Sequence, residues 1–421
     1  MPISYARADL PALLVQIRRH LHAHPEVGFQ EVHTAKYIRR VLEAFGLETT
    51  GPLAGTGQYV EIEGALPGPA IGYRADIDAL PIQDLKQTSY ASVNDGVAHL
   101  CGHDAHTAVA IGVALALHEW RDQLRGRVRI FFQPNEEGMP SGAPKMIDAG
   151  VLDGLDAVLA IHVDPTLPVG QFGLKPGPAG AAADAFLVRV KSGHTGHSAR
   201  PHQTIDTVWV ANQIMNTLYQ IVGRVQDARN SAVLSVCRLR AGSAFNVIPA
   251  EVEFAGTLRC IDYDDQVQLR AQFEHTCRHI ADLYGADIDI ELNVGSPPVY
   301  NDAGLIDLVR STIHERFSSD AVHDILLPSM GAEDFAHYGR HIPAALIRVG
   351  TSSGPLTSYP LHDARFDLDE KALPLAVELM AYSLLRFASH VEKGNGGKGG
   401  AEVKESPRDR VDGNGRSMSS G

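Results

Sequence analysis

The sequence predicts an α/β fold of two domains, a larger one built on a central sheet and a smaller α+β unit inserted into it. Three observations carry this. Between residues 30 and 180, short apolar strand candidates alternate with helix candidates, the pattern of a sheet with helices on its faces. Between 182 and 295 the order becomes β-α-β-β-α-β, that of a ferredoxin-like split βαβ unit. Beyond 296, helix and strand patterns of the first kind resume. At 421 residues and 44% hydrophobic content, the chain can bury one large core or two moderate ones.

Taken in order, "MPISYARADLPALLVQIRRHLHAHPE" lacks the basic start, apolar core and small-residue cleavage site of a signal peptide, and reads as an amphipathic helix. A helix follows near 31 to 45, then strands at "QYVEIEG" and "AIGYRAD", a helix at 104 to 119, and strands at "RVRIFFQP" and "AVLAIHV". Ligand sites in open α/β sheets lie outside strand carboxyl ends, which draws attention to Asp76, Asp78, Glu136, Glu137 and His162. The Gly- and Pro-rich "VGQFGLKPGPAGAAADA", 169 to 185, breaks regular structure and reads as a hinge, and "NVGSPPVYN" as a second one. After the inserted block, "LIDLVRSTIHERF", "AALIRVG" and "DEKALPLAVELMAYSLLRFASH" complete the first sheet. The expected boundaries are 1–181 with 296–392 for the larger domain, 182–295 for the insertion, and a polar, Gly-rich tail over 393–421 expected to be disordered.

Composition narrows the partners. The net charge is −13, and no Lys/Arg cluster interleaved with aromatics is present, so no nucleic-acid partner is expected. No apolar run approaches the roughly 20 residues of a membrane span, so no membrane partner is expected either. Cys101, Cys237, Cys260 and Cys277 lack compact spacing, which argues against a disulfide framework and for a reducing, cytoplasmic setting. The last three read as buried apolar fillers of the insertion.

The densest chemistry lies in "HLCGHDAHTAVAIG", residues 99 to 112. Cys101 and His103 can reach one divalent ion from this turn, although a helix start with polar caps has the same composition. Glu136 and Glu137 follow an apolar strand. Adjacent residues point apart, so one carboxylate can bind metal while the other faces a substrate. His162 sits inside an apolar run, as a core histidine does, and His362 in a proline-containing loop. Together Cys101, His103, Glu137, His162 and His362 form a mixed sulfur, nitrogen and oxygen set, enough for two divalent ions if bridging ligands are shared.

Over roughly residues 10 to 390 the chain resembles the M20 metallopeptidases, in particular the amidohydrolase subgroup of hippurate hydrolases, aminoacylase-like enzymes and plant auxin-conjugate hydrolases. The resemblance rests on "RRHLHAHPEVGFQE", "YRADIDALP", "CGHDAHTA", "FFQPNEEG", "AIHV", "GHSARPH", "FNVIP", "GTLR", "MGAEDF" and "LHDARFD", in the family's order. It implies that those five residues ligate two divalent ions (Zn, Mn or Co) and that Glu136 is the general acid/base. It also implies that Asp78 orients a ligand histidine, as carboxylates behind metal ligands do. Asp76, His99, Asp104 and His106 read instead as caps or hydrogen-bonding supports. In the insertion, the resemblance implies that His197 binds the oxyanion with Asn246 nearby, and that Arg259 holds the substrate carboxylate. It further implies a lid that closes over the site and pairs two chains, with His197 serving the neighbouring subunit. One departure is "GMPSGAPKMID", where many relatives have a Gly-rich run; Met139, Pro140 and Pro144 there are expected to line the acyl pocket.

The expected activity is metal-dependent hydrolysis of the amide of an N-acyl amino acid, giving a carboxylic acid and a free amino acid. A dipeptidase, or a deacylase or deaminase of an unusual aromatic amide or amine, is an alternative within C–N hydrolysis. A catalytically inactive protein that captures small acyl ligands is an alternative of another class, against which the complete set of ligands and Glu136 argues.

Overall fold

The computed structural model describes residues 9–227 and 229–396. The first half of the chain forms α1 (Leu10–Ala23), α2 (Val32–Ala44), β1 (Thr49–Leu53), β2 (Gly57–Glu63), β3 (Leu66–Asp76), α3 (His103–Glu119), β4 (Arg125–Gln133), α4 (Gly142–Asp148), β5 (Ala157–Pro168), β6 (Phe172–Leu174) and β7 (Gly177–Gly180). The inserted stretch supplies β8 (Ala182–Lys191), β9 (Gly196–His197), α5 (Thr207–Arg224), β10 (Ala232–Ala241), β11 (Val247–Ile248), β12 (Glu251–Cys260), α6 (Tyr263–Tyr284) and β13 (Asp287–Asn293). The chain returns with β14 (Val299–Asn301), α7 (Ala303–Arg316), β15 (Val322–Asp324), β16 (Ala344–Ser352) and α8 (Ala372–Gly396).

The main sheet runs β1-β2-β4-β3-β5-β16-β6-β15, with β4, β3, β5 and β16 mutually parallel at its centre. These central strands are near-continuous apolar runs because both their faces are covered. One face packs on α3, whose residues His103 to Leu117 are all buried, and behind α3 on α1 and α8. The other face packs Phe131, Val158 and Leu346 against Met146 of α4 and Tyr338.

The insertion has its own core, in which Phe186, Val188, Phe254 and Leu258 meet Ile214, Leu218, Phe273 and Cys277 of α5 and α6. Its sheet is antiparallel in the order β10-β12-β8-β13, the arrangement the β-α-β-β-α-β pattern predicts. Asp206 and Asp262 cap α5 and α6 by accepting backbone N–H groups, Trp209 for the former and Asp264 and Asp265 for the latter.

Several expectations need correction. The stretch 169 to 185 does not break all regular structure: β6 and β7 lie in it, and β7 pairs with β14 inside the second expected hinge. Short segments with glycine and proline remain extended there because neighbouring strands take up their backbone hydrogen bonds. Cys237 is exposed on the outer strand β10, whereas Cys260 and Cys277 are buried as expected. Helix α8 continues to Gly396, past the expected start of the tail, and residues 397–421 lie outside those described. Ala372–Val391 is long and apolar enough to cross a membrane, contrary to the reading of the sequence. It is 67% buried here, packed on the core as the last helix of the main domain.

A buried ion cluster ties α1 to the start of α3. Arg18, wholly buried, meets Asp104 at 2.8 Å, Asp367 at 2.6 Å and Glu370 at 3.3 Å, while His22 Nδ1 lies 2.7 Å from Asp104. Burial would raise the Asp104 carboxyl, yet Arg18 and His22 hold it well below its usual value. Arg18→Met therefore strands a buried carboxylate and is expected to cost about 3–5 kcal/mol of stability. Arg19→Met, which breaks a pair to Glu370 from a side chain 45% exposed, is expected to cost about 0–1 kcal/mol. Thermal unfolding of the two variants checks this, and equal midpoints would contradict it.

Candidate metal centre and active site

The sheet creates the site by ending its strands at different heights. β3 stops pairing with β5 at Arg74↔Ala160, while β5 continues beside β16. His162 thus lies within a strand rather than at its end, but level with the loop that β3 has just released. Asp76 is the last residue of β3, still paired with β4, Asp78 lies just beyond it, and Glu136 and Glu137 lie in the turn after β4.

Gly102, at the N-cap of α3, has φ 87°, a left-handed conformation that suits glycine. A Cβ there would also sit 2.3 Å from Val163 Cγ2. This tight turn lets Cys101 and His103 face the same space. Cys101 Sγ lies 3.5 Å from His162 Nε2, and Cys101, His103 and His162 present donor atoms all within 4.8 Å of one another. Cys101, Glu137 and His362 form a second such group, and His103, Glu136 and Glu137 a third. Glu137 Oε1 is 3.1 Å from His362 Nε2. His362 itself is held at φ 68°, with its N–H donating to Leu100 O at 2.8 Å. Such a conformation in a non-glycine residue costs of order 1–3 kcal/mol and is retained where its surroundings impose it. All five expected ligands are thus gathered, with Cys101, His103 and Glu137 each common to two of these donor groups.

The donor chemistry fits divalent cations. His103 Nδ1 lies 2.9 Å from the Asp78 carbonyl and 3.1 Å from its carboxylate; a carbonyl only accepts, so Nδ1 carries the proton. Its Nε2 is buried without a hydrogen bond, and although burial opposes it, Asp76 and Asp78 raise the ring well above the usual histidine value, so a cation arriving at Nε2 would take the place of a proton. The same logic applies to His162, whose Nδ1 donates to Val163 O at 2.8 Å and whose Nε2 faces Cys101. Burial and the Arg348 charge hold His162 well below the usual histidine value, so its ring is neutral. Burial pushes the Cys101 thiol up to about 12, which a bound cation would reverse by holding the sulfur as thiolate.

The supporting residues separate cleanly. His106 receives the Val163 N–H on Nε2 at 3.0 Å and meets Asp76 through Nδ1 at 2.7 Å, so neither nitrogen is free for a metal. Asp76 is further engaged by Arg74 at 2.5 Å, and Asp104 by the Arg18 cluster. His99 is buried with both nitrogens unpartnered, and burial lowers it to about 4. Asp78 accepts from His103 through one oxygen and from the Glu137 N–H through the other, at 3.0 Å.

Glu136 belongs to the third of these groups, with Oε2 4.0 Å from His103 Nε2, but it has no close contact with Cys101, His162 or His362. Its Oε1 receives the Asp334 N–H at 3.3 Å. Burial, then the Glu333, Glu137 and Asp334 charges, raise its carboxyl well above the usual value. Behind it, Arg74 binds Glu333 at 3.1 Å and Asp334 at 2.8 Å, and Gln133 donates to Asp334. Reading the sequence singled out none of Arg74, Gln133, Glu333 and Asp334. The available signal was an ionisable residue in an apolar strand, "AIGYRAD", and the acidic pair in "MGAEDF".

The site opens into a cavity of about 920 Å³ whose walls include Cys101, Glu136, Glu137, His162, Arg259 and His362. Arg259 reaches it from β12, with Nη1 donating to Met330 O at 2.8 Å. Met139, Pro140 and Pro144 line it as well. His197 and Asn246 do not. They lie together on the exposed β9–β11 ribbon, where His197 pairs with Val247 and Asn246 O accepts from Ser198 N at 3.1 Å.

Comparison with known proteins gives these features a context. The model of peptidase family M20/M25/M40 matches residues 72–386. An N-acetyl-L-cysteine deacetylase of Bacillus subtilis is 39% identical over 92% of this chain and 91% of its own. An N-acyl-L-amino acid amidohydrolase of Geobacillus stearothermophilus is 42% identical over 68% of this chain and 76% of its own. Among solved structures, a putative aminohydrolase from methicillin-resistant Staphylococcus aureus superposes with a TM-score of 0.85 at 32% identity, covering 90% of this chain and 97% of that one. A dinuclear metal-binding peptidase of the M20 family from Bacillus subtilis gives 0.79 at 35% identity, covering 91% and 100%. With the family model and full-length relatives agreeing, the chain belongs to peptidase family M20/M25/M40.

Proposed function

We propose that this chain hydrolyses the amide of N-acyl amino acids, using two divalent ions held by Cys101, His103, Glu137, His162 and His362. The observation that carries the reading is a set of overlapping donor groups linked through Cys101, His103 and Glu137, with Glu136 beside them on the cavity wall. The relatives named as a deacetylase of N-acetylcysteine and an amidohydrolase of N-acyl amino acids support the substrate class. When bound, the ions would polarise the amide carbonyl and acidify a water molecule. Glu136 takes the proton of the attacking water and delivers it to the leaving nitrogen, a role that suits a carboxyl raised by burial. Arg259 offers a guanidinium to the α-carboxylate of the amino-acid half. Met139, Pro140 and Pro144 border the acyl group.

His197 and Asn246 stand outside this chain's own cavity, which supports their serving a second copy of the chain. The face they occupy carries apolar groups that a partner would cover: Phe245 is fully exposed, and Leu239 and Val247 are 55% and 41% exposed. β10 is also an open sheet edge. We infer a homodimer formed through the insertion, with His197 donating to the oxyanion of the partner's substrate.

Three measurements test these roles. Glu136→Gln is expected to keep its metal content while losing about 10²- to 10⁴-fold in turnover; metal analysis beside assays with N-acetyl amino acids decides it. Arg259→Ala is expected to lower kcat/KM strongly for N-acyl amino acids and little for the matching carboxamides, so equal losses would remove the anchor. Mixing inactive Glu136→Gln and His197→Ala chains is expected to restore part of the activity, because one site of each mixed dimer is intact. No rescue from a mixture shown to exchange subunits would place His197 outside the reaction.

A further inference from the structure

Strand β16 reads "AALIRVGTS", and Arg348 is its one charged residue. From Ala344 to Thr351 every other position is buried, while Arg348 is half-buried and lines the active-site cavity. The register places it beside His162 of β5 and opposite Gly173 of β6. Residues paired in this way point to the same face, so the three side-chain positions form one row across the cavity floor. Strands lie about 4.8 Å apart, and Arg348 therefore stands one strand from a candidate metal ligand. Gly173 keeps the place above β6 open: a Cβ there would lie 2.9 Å from Arg348 Cβ.

The guanidinium makes no hydrogen bond or ion pair with any described residue. Elsewhere, arginines of comparable burial are matched, Arg316 to Glu378 and Arg189 to Glu253 and Glu291. Arg259 in the same cavity at least caps a carbonyl. Lys175, two residues beyond Gly173, lines this cavity too, and among the described residues its Nζ meets only Pro176 O, at 3.4 Å. A cation left without a partner in an apolar strand is unfavourable for folding. Next to a metal site it also repels the metal. Neither packing nor the proposed hydrolysis of a simple N-acyl amino acid uses it.

We propose that Arg348, with Lys175, forms an anion subsite that selects substrates bearing a second carboxylate besides the one held by Arg259. This rests on the amidohydrolase reading above and names its substrate class: dianionic N-acyl amino acids. The extra carboxylate belongs either to a dicarboxylic acyl group or to an acidic amino-acid side chain. Guanidinium recognises both through the same paired N–H groups.

The test compares kcat/KM of the metal-loaded enzyme for N-succinylalanine, N-acetylglutamate and N-acetylalanine. Wild type is expected to favour one of the dianionic substrates, and the identity of that substrate locates the carboxylate on the acyl or the side-chain half. In Arg348→Gln, the ratio of dianionic to monoanionic kcat/KM is expected to fall about tenfold or more, as loss of a charge-assisted pair implies. Arg348→Lys is expected to retain part of the ratio and covers the case in which the glutamine variant misfolds. An unchanged ratio, or a wild-type preference for N-acetylalanine, overturns the subsite. If none of the three is hydrolysed, the amidohydrolase reading fails on its own. Calorimetric binding of succinate against butyrate, in wild type and in the variants, then decides the subsite separately. Selective weakening of succinate by about tenfold supports it, and equal affinities for the variants and wild type overturn it.

Discussion

One carboxylate joins the three chain segments on which the site depends. Asp78 lies just beyond β3, and its two oxygens receive the His103 ring at the start of α3 and the Glu137 backbone N–H after β4. Asp76, through His106, also ties the start of α3 to the end of β3, but Asp78 alone reaches a proposed metal ligand on each side, the His103 ring and the Glu137 backbone. The contact also sets which nitrogen of His103 is protonated, and so which one faces the donors. The Arg18 cluster acts from the other side of α3 through Asp104, the residue after His103. The first turn of α3 is therefore held on two sides by buried charge.

That charge is unevenly distributed. Around Glu136 the carboxylates of Glu137, Glu333 and Asp334 outnumber the one buried guanidinium, Arg74. Burial with Arg74 opposing leaves Asp334 raised to about 7. An excess of buried negative charge is unfavourable for the folded protein alone and favourable for taking up cations. The proposed metal centre and the proposed proton carrier thus share a cause: the crowding that favours a cation at Glu137 and His103 also makes Glu136 hold a proton more readily.

The insertion contributes to the cavity from a separate core. Arg259 ends a path that starts in the antiparallel sheet and reaches Met330 of the main chain segment. Placing the proposed α-carboxylate anchor on one core and the metal donors on another lets the two be adjusted independently. Arg348 differs, since it is built into the main sheet itself, level with His162.

The sequence by itself determined the element types and their order, because periodicity and strand-ending turns are local. The β-α-β-β-α-β insertion and helices α1, α2, α3 and α7 were legible in this way, and ten ordered motifs pointed to the five donors. Short strands such as β6, β7 and β15 were not legible, since their hydrogen bonds come from segments far along the chain. Burial was equally opaque: Cys237 is exposed because β10 is an edge, and α8 is apolar enough for a membrane yet lies on the core. Only the tertiary structure decided which histidines kept a free nitrogen. The sequence set His103 among the donors and His106 among the supports by spacing and resemblance, and the structure gives the physical reason: Asp78 reaches one ring, while Asp76 and Val163 occupy both nitrogens of the other. A lone pair is free or used according to what folds against it, and those partners come from other strands.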